Sequence, residues 1–137
     1  MPAAPTPILG LIIPTVGGDV NSWGTELNTD LATLDKLGAT AIINVSSSQA
    51  IPTGVFPETI VRVATGGITV TVTLPAPASA QGKLFTVKKI DAGLGMVAII
   101  TADGSLIDGQ TEWDLTNQYA FVRLLGNGAS YDVTGAG

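Results

Sequence analysis

The sequence predicts a mainly β protein, in which an extended N-terminal arm and one short helix precede an antiparallel β-sandwich or barrel. Three observations predict it. After Gly38, apolar and polar residues alternate with period two and never return to helical spacing. Turn signals cut that region at short intervals, with "GG" at 66–67, "DAGLG" at 91–95, "DG" at 103–104 and 108–109, and "GNG" at 126–128. Before Gly38, by contrast, Val20, Trp23, Leu27, Leu31, Leu34 and Leu37 step by three or four and define one helical face.

Residues 1–19 read as an extended attachment arm. Prolines at 2, 5 and 7 favour polyproline-like backbone that cannot donate a full ladder of hydrogen bonds. The apolar run Ile8, Leu9, Leu11, Ile12 and Ile13 then supplies side chains for burial against a partner. Residues 20–38 read as an amphipathic helix, capped by Asp19 and closed by Gly38 in a left-handed conformation. Its polar face carries Thr25, Asn28, Thr29 and Asp35, and Gly24 weakens the first turn by up to about 1 kcal/mol relative to Ala. A helix this short is marginal alone, so its apolar face needs a cover. The protein's own sheet, a symmetric bundle and a neighbouring protein are all open.

Residues 39–57 read as a first strand, "ATAIINVSS", and a linker, "SSSQAIPTGVF". Residues 58–137 form the β domain. "ITVTVTLP" (68–75) carries its clearest strand pattern, with Ile68, Val70, Val72 and Leu74 on one face and threonines on the other. Further strands are expected over 58–65, 83–91, 96–102, 105–108, 111–116, 119–126 and 130–135.

Composition limits the function. Only 12% of the 137 residues are charged, 45% are hydrophobic and the mean hydropathy is +0.43, whereas an average soluble domain carries about 25% charge. So much uncharged surface points to a subunit whose faces are covered by partners or by its own copies. The net charge of −5, with six Lys and Arg dispersed along the chain, leaves no basic patch for nucleic acid or an anionic membrane. The first residues lack the basic region of a signal peptide, and no run approaches the roughly 18 apolar residues of a transmembrane helix. The chain has no Cys and no His, which excludes thiolate and imidazole metal sites and His-based triads. Asp103, Asp108, Glu112 and Asp114 fall close together, but two belong to Asp-Gly turns, and "DGSLIDGQTEWD" lacks the spacing of a calcium loop. A non-enzymatic protein with no cofactor and no catalytic or metal residues is therefore expected.

Lys88 and Lys89 must point to opposite faces of one strand, so at most one enters a core or interface. Arg62 and Arg123 sit mid-strand, where a subunit contact is one use for them. Trp113, Tyr119, Phe121 and Tyr131 suit the aromatic part of a core; the functional rival is a sugar-binding platform, with Trp113 and Tyr131 as the candidate glycan contacts.

The stretch "ILGLIIPTVGGDVNSWGTELNTDLATLDKL" resembles the N-terminal attachment segment of bacteriophage tail-fibre and head-fibre proteins. The matching positions are Leu9, Gly10, Leu11, Pro14, Trp23, Gly24, Leu27, Asn28, Leu31, Leu34 and Asp35. Phe85 to Val133, with "TVKKID", "LIDGQ" and "LTNQYA", is similar to a β module that recurs in phage virion proteins. The resemblance implies a homotrimer on the surface of the phage particle, made in the bacterial host cytoplasm and bound to major capsid or other virion proteins. Its attachment residues would be Leu9, Leu11, Ile12, Ile13, Trp23 and Leu27. Tail fibres of this kind are longer than this chain, so a capsid decoration (cement) or short head-fibre protein is expected. A short tail-fibre adhesin recognising host-surface glycans is the alternative.

Overall fold

The structure is a computed structural model and describes residues 23–137. The chain divides into two compact units, Met1–Ala39 and Thr40–Gly137.

In the first unit, helix α1 spans Trp23–Asp35. Within it Thr29 and Thr33 return their hydroxyls to the carbonyls of Thr25 and Thr29, at 2.9 and 3.0 Å, which satisfies both side chains on the polar face. The expected left-handed closure at Gly38 does not occur. A 3₁₀ turn over Lys36–Gly38 ends the helix instead, with the Ala39 N–H donating to the Lys36 carbonyl at 3.1 Å. Val20 and the expected Asp19 cap lie outside the described residues.

The second unit is β throughout, apart from a 3₁₀ turn at Pro77–Ser79. Its strands are β1 (Thr40–Val45), β2 (Gln49–Ala50), β3 (Glu58–Val63), β4 (Val70–Leu74), β5 (Leu84–Lys89), β6 (Val97–Thr101), β7 (Trp113–Leu115), β8 (Phe121–Gly126) and β9 (Tyr131–Ala136). They form a five-stranded sheet in the order β1-β3-β5-β8-β9 and a four-stranded sheet in the order β2-β4-β6-β7. The inward residues of both join one core, including Val61, Val63, Val70, Val72, Leu74, Phe85, Val87, Ile99, Val122 and Leu124. A mainly β architecture with a single described α-helix is thus what the sequence predicts.

The strand directions require a correction. Antiparallel pairing was expected throughout, but β1 runs parallel to β3, β3 to β5, β2 to β4, and β4 to β6. Successive strands alternate between the sheets, so each return to a sheet comes after a full turn and in the same direction. Parallel neighbours need a long crossover, and here the crossover is a strand of the opposite sheet. Thr40, Glu58 and Leu84 therefore stack in register over successive turns of a coil. Only the last strands reverse: β7 on β6, β8 on β5, and β9 on β8.

Two further expectations shift. Residues 47–57 are not a free linker. They hold β2; Ile51 is buried and its N–H donates to the Thr73 carbonyl at 2.8 Å; and the Lys83 ammonium donates to the Gly54 carbonyl at 2.7 Å. Ile68, expected on the core face with Val70 and Val72, precedes β4 and is 61% exposed. At Asp108-Gly109, both residues adopt positive φ (45° and 80°), and Ile107 and Gln110 exchange backbone hydrogen bonds at 2.8 Å across them. That tight turn explains the Asp-Gly pair without any catalytic role. No helix among the described residues is long and apolar enough to cross a membrane.

Candidate functional site

Of the predicted attachment residues, Leu9, Leu11, Ile12 and Ile13 lie outside the described residues. Trp23 is the first residue of α1, but its side chain also lies outside the description. Leu27 is 48% exposed, and the helix leaves Leu31 and Leu34 exposed beside it on the spacing of one face. A side chain of this size gains about 1.5–3 kcal/mol on full burial, so this face holds unused binding energy.

Among the described residues, β1 and β2 are edge strands, each with a strand partner on one side. The inward Ala41 and Ile43 are only half-buried, whereas the residues beside them in register, Thr59 and Val61 and then Phe85 and Val87, are buried. Ile42, on the outer face, is 63% exposed. Edge strands in soluble proteins are usually blunted by Lys, Pro or a bulge. "TAIINV" carries neither Lys nor Pro, and its pairing to β3 is unbroken. At the opposite edges β7 and β9 turn Leu115 and Tyr131 inward, and these are buried with Ile107.

Tyr131 cannot act as the glycan contact the sequence suggested. Its side chain is wholly buried, its ring meets Phe85 edge-on at 6.0 Å between centroids, and its hydroxyl donates to the Pro75 carbonyl at 2.9 Å. Burial first, and then the charge of Asp103, push its phenol above the usual range. Trp113 is half-buried and packs on the core from β7.

In the acidic cluster, Asp103 and Asp108 belong to turns and Asp114 lies on β7. An Asp103 carboxylate oxygen accepts the Ser105 N–H at 3.1 Å; the Ser105 hydroxyl first and then this N–H lower the Asp103 pKa, and partial desolvation opposes them. Asp108 accepts the Val133 N–H at 3.0 Å and so ties its turn to β9. Among the described residues, no group of three or more acidic side chains is placed to hold a metal ion.

Lys89, not Lys88, is the lysine that enters the core. Its ammonium is fully buried and donates to the carbonyls of Asp91 and Gly93 at 2.7 and 2.8 Å and to the Asp91 carboxylate at 3.2 Å. The other Asp91 oxygen accepts from the Thr65 hydroxyl and the Gly66 N–H, both at 3.0 Å. The Thr65 backbone leads in holding this carboxyl far below the ordinary range; partial burial opposes it, and Lys89, Gly66 and the Thr65 hydroxyl reinforce it. This ion pair pins the β3–β4 turn to the β5–β6 loop.

Sequence reasoning missed Tyr119. It was assigned to a strand or to the core, yet it is 60% exposed with φ at 63°, a left-handed backbone that bulky residues seldom adopt. Nothing in the local sequence signals this, since Gly or Asn is the usual occupant. Arg62 and Arg123 are both exposed on the outer face of the five-stranded sheet, and Arg123 meets Glu58 at 3.6 Å. Compared with known proteins, the chain matches no family model and no curated sequence.

Proposed function

We propose that this chain is a non-enzymatic structural protein of a phage virion, a homotrimeric capsid decoration or short head-fibre protein. In this reading it docks on major capsid or other virion proteins through its N-terminal region and displays the β unit outward. The supporting observation is the apolar surface that each unit leaves exposed. Leu27, Leu31 and Leu34 are exposed along α1, and within the β unit Ile42 is exposed on β1, an edge strand among the described residues. The phage-like motif from Leu9 to Asp35 leads directly into that exposed region. Binding would work by burial of large apolar side chains, multiplied by avidity when three copies act together.

The test is removal of residues 1–20 followed by incubation with particles that lack the protein. Particle binding should be lost while the β unit keeps its circular dichroism and melting transition. Undiminished binding overturns the docking role. Sedimentation of the full chain should give a trimer, and a monomer at micromolar concentration removes the avidity component.

A further inference from the structure

We propose that Arg62, Lys88, Phe121 and Tyr119, on the outer face of the five-stranded sheet, form a binding site for a carboxylate-bearing oligosaccharide. Three of them lie in one cross-strand row: Arg62 of β3 is in register with Lys88 of β5, and Lys88 with Phe121 of β8. Two cations thus stand directly opposite each other, an arrangement that repels. The residues that flank the two cations in this row are Asn44 of β1 and Phe121 of β8, and neither is acidic. Elsewhere in the β unit Lys89 pairs with Asp91 and Arg123 with Glu58. The Arg62 guanidinium donates to the Asn44 side-chain oxygen, at 3.4 Å. An external anion completes the row.

Tyr119 supplies the second, independent observation. Its backbone sits in the left-handed region, fixed there by its N–H donating to the Lys89 carbonyl at 2.7 Å and by the Ala120 N–H donating to Asn117 at 3.1 Å. Strain of this kind is usually kept where burial or function requires it. Burial does not, because the ring is 60% exposed. The Lys88 ammonium lies 5.4 Å from the ring centroid, and Phe121 is 37% exposed next in the row. Flat, exposed rings beside cations suit a sugar, whose C–H face stacks on the ring while its carboxylate meets Arg or Lys. A single phosphate is more often held by converging backbone amides, whereas this row offers side chains. This inference concerns the β unit alone and does not rest on the attachment reading.

The experiment is calorimetric titration of the full chain with oligogalacturonate, oligoalginate and an oligomer of sialic acid, each beside its methyl ester. Saturable binding to at least one acid is expected, with loss on esterification and weakening at high salt. Lys88→Gln and Arg62→Gln should each weaken it about tenfold or more, as expected for a lost charge-assisted hydrogen bond. Tyr119→Asn should weaken it without lowering Tm, because Asn tolerates the left-handed backbone. Lys36→Gln on the N-terminal unit should change nothing. No saturable binding to any of the three acids, equal binding to the esters, or binding that survives all three site substitutions overturns the proposal. So does a change of sedimentation coefficient in those variants, which would make the row a contact between copies. Particle binding is a separate readout, so either idea can fail alone.

Discussion

Tyr131 and Lys89 show how polar groups are accommodated in this core. The Tyr131 hydroxyl has one buried acceptor, Pro75, so Tyr131→Phe strands that carbonyl and should cost about 1–2 kcal/mol in urea denaturation. The same substitution changes the alkaline limb. The folded phenol keeps its proton to higher pH than the unfolded one, so stability is full below about pH 10 and falls as pH rises beyond it. Tyr131→Phe should flatten that fall. Asp91 acts at the opposite limb. Its folded carboxyl ionises more readily than the unfolded one, so its contribution is present above about pH 4 and is lost as pH drops further. Asp91→Asn should be less stable at pH 7 and show a shallower acid transition. Lys89→Met leaves the carbonyls of Asp91 and Gly93 without their donor inside the core and should cost about 3 kcal/mol. The sequence showed that only one of Lys88 and Lys89 could turn inward. Which one did so depended on the carbonyls that the loop to β6 brings round, and those belong to the fold.

At the scale of elements, the strands were legible because half-burial leaves a period-two trace, and "VTVTL" is buried at Val70, Val72 and Leu74. β2 left no trace because Gln49 and Ala50 are exposed on a short edge. Its place is set by the chain's need to pass through the second sheet between β1 and β3. Gly95 shows how closely successive turns approach. A Cβ there would collide with the Ile68 carbonyl and would sit 2.6 Å from the Thr65 hydroxyl. Gly95→Ala should therefore cost about 1–3 kcal/mol, the range for overpacking, visible as a lower Tm. Gly104→Ala meets no neighbour but must hold φ at 77°, so its cost is one of backbone strain. On α1, replacing Leu27, Leu31 and Leu34 with Ser should raise solubility and weaken any association through that face, measured by sedimentation. An unchanged association state would assign these leucines no partner.

For the whole molecule, low charge and high hydropathy said that surface would be covered without saying where. The structure adds a location: within the β unit, Ile42 is exposed on β1, an edge strand among the described residues. A second consequence is that Ile42→Lys, on an exposed edge position, should leave Tm nearly unchanged while reducing self-association or particle binding. Class, the positions of most strands, turn positions and the absence of His and Cys chemistry follow from local patterns, because each depends on neighbours in the chain. Strand direction, the burial of Tyr131, the choice between Lys88 and Lys89 and the exposed, strained Tyr119 do not. They depend on which strands become neighbours after the chain has coiled between two sheets, and a period-two pattern is the same whichever way a strand's partner runs.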